Sequence, residues 1–136
     1  MRITNTTSTP IDIAVSGLKA QSTRLNVVAN NIANASTTRT PGGEPYRRQD
    51  VSVTCAGKAL SGIKTVQIVP DMGSGFKRVH QPGHPDADGD GFVLMPNVDV
   101  PTEMMHMVVA SRAYQANASV MKRYQDQIDA TLELLR

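Results

Sequence analysis

The sequence predicts an α+β chain. A long helix at each end forms a coiled-coil-like pair, with a small antiparallel β insert of three or four strands between them. Three observations carry this. Apolar side chains recur in threes and fours along both ends. Short alternating runs, separated by Gly, Pro and Asp clusters, fill the middle. Aromatic residues make up only 4% of the chain and Trp is absent, so the large side chains that usually fill a globular core are scarce. The chain divides into a flexible start (1–8), a first helix (9–35), a loop with a small β domain (36–97) and a second helix (98–136).

The first helix starts at Thr9-Pro10-Ile11-Asp12. Thr9 can cap, Pro10 suits the first turn, and Asp12 holds the capping-box position. Ile11, Val15, Leu18, Ser22, Leu25, Ala29 and Ile32 then step by four and three. At the helical rise this seam is about 37 Å long. Only four charges occur in residues 1–36, namely Arg2, Asp12, Lys19 and Arg24. The other faces carry Ala, Ser, Thr, Gln and Asn. Asn26, Asn30, Asn31 and Asn34 are poor helix formers, so the helix is marginal in isolation. This reads as a helix covered by neighbours on several sides; the plainer alternative is an Asn-rich end that frays.

Residues 35–45 are a loop by composition. Val51, Val53 and Cys55 alternate with polar residues, and Ile63–Val69, Phe76–Val79 and Phe92–Met95 follow as strands. Cys55 is expected to pack as a small hydrophobe. In the second helix, Asp99 can cap, Pro101 fits the first turn and Glu103 lies near the positive end of the dipole. Met104, Met107, Ser111, Tyr114, Ala118, Met121, Gln125, Ile128, Leu132 and Leu135 alternate steps of three and four. The resulting rod is roughly 50 Å long. That is more than a compact domain of this size buries by itself, so partner helices and other chains are expected.

Chemical motifs are weak. A net charge of +2, with no basic run beyond Arg47-Arg48, Lys77-Arg78 and Lys122-Arg123, gives no footprint for nucleic acid. A single cysteine allows no internal disulfide. No apolar run approaches the ~20 residues of a membrane helix, and no cleaved secretory signal is evident. By composition alone these signs describe a soluble cytoplasmic chain. Asp86, Asp88, Asp90 and Gly91 open like an EF-hand calcium loop, but Asn97 occupies its twelfth position. Pro82, Gly83 and Pro85 also preclude the entering helix, so an acidic turn between strands is the expected reading. His80, His84 and His106 lack regular ligand spacing and are expected solvated or locally bonded. No nucleophile elbow, phosphate loop or convergent acid–base set appears, so neither an enzyme nor a cofactor is expected.

The block from Ser16-Gly17-Leu18 through Asn26-Val27-Val28-Ala29-Asn30-Asn31-Ile32-Ala33-Asn34-Ala35 resembles the N-terminal signature of bacterial flagellar rod and hook proteins. Thr37–Gly43, Pro45–Arg48, Pro82–Ala87, Gly91–Val93 and Met95–Val98 resemble the proximal-rod branch of that family. Glu103-Met104 and Ser111–Asn117 are similar to its C-terminal signature. The resemblance spans nearly the whole chain in the family's order.

It implies a structural subunit of the flagellar basal-body rod, the shaft that carries torque from motor to hook around an export channel. It also implies flagellar type III export without a cleaved signal, and assembly in the periplasmic space. The implied partners are copies of the chain itself, B-, F- and G-type rod proteins, the junction protein to the MS ring and the export apparatus. No nucleic acid, small-molecule substrate or membrane insertion is implied. The rival readings are another rod or hook-type axial protein, or a calcium-binding periplasmic module. On the rod reading, the expected subunit-interface residues are Leu18, Leu25, Ile32, Met107, Tyr114, Met121, Ile128 and Leu132 along the seams. Asn30, Asn31, Asn34, Arg112 and Asn117 are the candidates for polar contacts that fix register, with a solvated face as the alternative.

Overall fold

The structure, a computed structural model, describes residues 9–55 and 62–135. The expected flexible start at 1–8 and the connection at 56–61 lie outside the described residues. Helix α1 spans Pro10–Ala33. Strands β1 (Gln49–Cys55), β2 (Ile63–Pro70), β3 (Lys77–His80) and β4 (Phe92–Met95) follow, and helix α2 runs from Val100 to Glu133. Both helix starts form as expected. Thr9 Oγ1 accepts from the Asp12 backbone N–H while Asp12 accepts from the Thr9 N–H, completing the capping box. Asp99 accepts from the Thr102 N–H.

The two helices pack antiparallel. Asn31, near the end of α1, bonds Glu103 at the start of α2. Fourteen residues back along α1, Gly17 lies against Asn117, fourteen residues on along α2. Equal spacing on both helices means the pair keeps one register over that length. The same register places Pro10 opposite Tyr124. Everything in α2 beyond Tyr124 therefore extends past the end of α1, and Gln125–Leu135 are all exposed. That overhang is about 16 Å long.

The face that α1 gives its partner differs from the sequence expectation. On α1 the shared face follows Ala14, Gly17, Gln21, Arg24, Val28 and Asn31, one residue away from the seam of large side chains. One residue is a rotation of about 100°. Leu18, Leu25 and Ile32 consequently lie on the neighbouring flank and stay half-buried. On α2 the buried positions are Glu103 and Ala110, while Met104, Tyr114, Ile128 and Leu132 are exposed. The physical reason is size. Gly and Ala let the backbones approach closely, and Gly17 has no room to spare: a Cβ there would sit 2.8 Å from the Asn117 amide nitrogen.

The four strands pair as two separate antiparallel ribbons, β1–β2 and β3–β4, rather than one sheet. The first ribbon leans on α1. Val51 is buried beneath it, and the Ile63 N–H donates to Ser16 Oγ. Cys55 is exposed, contrary to expectation, because it ends β1 at a register shift against β2. The β3–β4 ribbon is closed by the acidic turn. Asp88 Oδ1 accepts from the N–H groups of Asp90 and Phe92, and Asp88 Oδ2 pairs with Arg78 at 2.9 Å. Gly91 adopts φ 77°, and Pro82 and His80 crowd the place a side chain would take. His84 is locally bonded, accepting from the Asp86 N–H.

Two predictions follow from this packing. A double-mutant cycle between Gly17→Ala and Asn117→Ala should show coupling of about 0.5–3 kcal/mol, the alanine at 17 being more favourable once Asn117 is shortened, because the crowding between them is removed while the helix-propensity gain is common to both arms and cancels. Chemical denaturation of the four variants measures it. Asp12, Asp71, Asp88 and Asp99 are all held below the usual aspartate range, first by side-chain hydrogen bonds from Thr9, Ser74 and Thr102, and for Asp88 by the Phe92 N–H. Depressed carboxylates stabilise the fold above their unfolded value and lose that contribution as the pH falls through the folded one. Thermal unfolding should thus be insensitive to these groups near neutrality and weaken as the pH drops below ~4.

Candidate subunit-interface surfaces

A buried polar junction fixes the helix pair to the β insert. Asn31 is fully buried, and all its side-chain hydrogen bonds are internal. Its Nδ2 donates to Glu103 Oε2 at 2.9 Å and to the Gln49 carbonyl at 2.8 Å. Its Oδ1 accepts from the Gln49 N–H and the Tyr46 hydroxyl, both at 3.0 Å. Glu103, only 1% exposed, also takes the Arg48 Nε–H at 2.7 Å. Burial and the nearby Glu103 carboxylate push the Tyr46 hydroxyl above its ordinary value. Burial alone would lower the Arg48 guanidinium, but the hydrogen bond and charge of Glu103 outweigh it and raise it. Asn97 extends the junction, accepting from the Arg48 N–H at 2.8 Å.

Sequence patterning did not find this junction. Glu103 was legible only as a residue near the helix dipole. The available signal was its place two heptads, about four turns, before Asn117, with Met107 and Ala110 between them. Of the expected polar contacts, Asn31 is thus spent inside the chain and Asn117 lies against Gly17. Asn34 caps α1, its Nδ2 donating to the Asn30 carbonyl. Asn30 and Arg112 are exposed.

Large apolar side chains lie on the outer surface. Met104, Met105, Val108 and Val109 are 50–64% exposed on the first turns of α2. Ile128, Leu132, Leu134 and Leu135 are exposed on its overhang. Ile128, Leu132 and Leu135 prolong the face that packs on α1, past the point where α1 stops. Contiguous exposed apolar surface of this kind marks interaction sites. No helix among the described residues is long and apolar enough to cross a membrane.

Comparison with known proteins gives the family. The family model described as flagella basal body rod protein matches residues 11–39, most of α1. The model for the C-terminal part of flagellar basal body rod FlgEFG proteins matches residues 90–134, β4 and α2. Flagellar basal-body rod protein FlgC of Salmonella typhimurium is 45% identical over 126 residues, covering 90% of this chain and 93% of that protein. The chain belongs to the flagellar basal-body rod protein family. FlgC of Agrobacterium fabrum is 44% identical, with 91% of each chain covered. FlgC of Bacillus subtilis is 35% identical, covering 91% of this chain and 95% of the relative. The rod family is a structural one, and its members build the flagellar basal body by assembling with other rod proteins. The two family matches fall on the two helices that carry the exposed apolar faces.

Glu103→Ala leaves Arg48 and Asn31 without their buried partner. It should destabilise the fold by about 3 kcal/mol, read from urea unfolding, and the loss of one internal tie should leave α2 helical by circular dichroism.

Proposed function

We propose that this chain is a structural subunit of the proximal rod of the flagellar basal body, working by mechanical coupling and without catalysis. The observation that carries the reading is the inversion of its two faces. Small and polar residues such as Gly17, Asn31 and Glu103 join α1 to α2, while Met104, Met105, Ile128, Leu132, Leu134 and Leu135 remain exposed and Leu18, Leu25 and Ile32 only half-buried. A solitary globule would place them the other way round. Neighbouring subunits are what covers them.

In this reading Leu18, Leu25 and Ile32 on α1, and Met107, Tyr114, Met121, Ile128 and Leu132 on α2, are the packing contacts between subunits. Arg112 and Asn30 add polar contacts that set register. Each apolar side chain fully buried on assembly contributes roughly 1.5–3 kcal/mol, and repetition around the axis makes the shaft stiff enough to carry torque. The neighbours are copies of the chain, the B-, F- and G-type rod proteins and the junction protein to the MS ring. The chain reaches the periplasmic space through the flagellar export apparatus without a cleaved signal. A first helix this poor in charge and rich in Asn tolerates an unfolded passage, then orders when covered.

Deleting the gene should leave cells without filaments and with incomplete basal bodies, and the intact gene should restore them. Ile128→Asp with Leu132→Asp should keep the monomer's helix content, since both side chains are exposed, yet abolish incorporation into basal bodies and motility. Motile cells carrying that double variant in a normal rod would overturn the proposal.

A further inference from the structure

The β3–β4 ribbon is thinly packed. Among the described residues its strands pair with each other and pack on no other helix or strand. Val93 is the one buried residue of the two. Away from its base the ribbon has one tie to the rest of the chain: Asp86 accepts from the Thr38 hydroxyl at 2.8 Å and lies 3.6 Å from the mostly exposed Arg39. An exposed ion pair of that length holds weakly.

The two roots of the ribbon meet at its base. One, 71–76, arrives from β2, and the other, 96–99, leaves for α2. Asn97, 8% exposed, joins them. Its Oδ1 accepts from the Arg48 N–H at 2.8 Å. Its Nδ2 reaches the carbonyls of Asp71 and Ser74 by longer bonds, at 3.4 and 3.3 Å. Arg48 in turn holds Glu103 of α2 through Nε at 2.7 Å, and its carbonyl accepts from the Asp71 N–H at 2.8 Å. A chain of polar contacts therefore runs from the helix pair to both roots. Arg47 donates to the same two carbonyls, at 3.1 and 3.4 Å, and Lys77 Nζ donates to the Val98 carbonyl at 3.0 Å.

The chemistry at this base asks for an amide. One atom must accept from a peptide N–H while the other donates to peptide carbonyls. A carboxylate of the same shape would set a second oxygen against two carbonyl oxygens, in a site shielded from water.

We infer that Asn97 is a positioning residue: it sets the angle at which the β3–β4 ribbon leaves the helix pair. With so little packing of its own, the ribbon takes its direction from its roots, and without the Asn97 bonds those roots become a hinge. This concerns the free chain and stands apart from the rod-subunit reading. Within a shaft, the same angle decides where the exposed side chains of the ribbon meet a neighbour.

Distances between paired spin labels on the purified full chain, read by pulsed electron paramagnetic resonance, test this. In a Cys55→Ser background, Gly89→Cys with Gln115→Cys reports the ribbon against α2, and Lys19→Cys with Gln115→Cys reports α1 against α2. A Cβ at Gly89 meets nothing within 4 Å, and Lys19 and Gln115 are exposed. With Asn97 in place both pairs should give one narrow distance. Asn97→Asp and Asn97→Ala should widen the ribbon distribution roughly twofold or more and leave the helix pair unchanged. A ribbon distance that stays narrow in both variants overturns the inference. So does widening of both pairs, which would make Asn97 a general support of the fold. Should neither Asn97 variant fold, Arg47→Ala decides. It removes the other donor to the two carbonyls and keeps Asn97, so the ribbon distance should stay narrow; widening there would move the role to Arg47 and overturn the assignment.

Discussion

One interaction sets the frame for this molecule: the buried contact of Asn31 with Glu103, at 2.9 Å, closed by Arg48. It ties the end of α1 to the start of α2 and brings the loop before β1 into the same knot through Gln49 and Tyr46. A buried charge with directional partners tolerates one alignment, because any slip leaves the carboxylate or the amide unpaired in a low-dielectric site. The aliphatic part of the seam is Ala, Gly and Val, which would permit several alignments at similar energy. The polar knot therefore selects the antiparallel register, and that register determines how far α2 outruns α1.

The consequence is a molecule that leaves many of its large apolar side chains exposed. The residues buried in α1 include Ala14, Ala20, Val27 and Val28, while Leu134 and Leu135 are 86% and 84% exposed. A close backbone approach through Gly17 leaves little interior to fill. On the proposed rod-subunit reading, the energy of burying the remaining side chains is gained between chains. The two small ribbons, with β3 exposed along its whole length, add little cohesion of their own and ride on the helix pair.

Features determined locally were legible in the sequence. The capping box at Thr9, the N-cap at Asp99 and the acidic turn at Asp88 depend on residues within four positions of each other, and the strand runs are short. The existence and length of both helices were legible because their periodicity is long. The face α1 turns inward was not. Large side chains dominate a hydrophobic pattern, so the seam was read through Leu18, Leu25 and Ile32 when the contact runs one residue away through Gly17 and Val28. Ala and Gly give almost no periodic signal, yet their small size is what permits the contact. The Asn31–Glu103–Arg48 knot joins residues 72 and 55 positions apart, and no spacing rule reaches that far. The likeness to rod proteins supplied the organelle, which packing physics alone does not.

The central claim is that the α2 overhang is bare in the free chain and covered in the shaft. Amide hydrogen exchange, resolved to residues 125–135 and compared between the purified monomer and isolated basal bodies, reads this most directly. The account predicts rapid exchange in the monomer and strong protection in the assembled rod. Equal protection in both states would mean that the overhang is either covered by its own chain or left bare after assembly, and either contradicts the account.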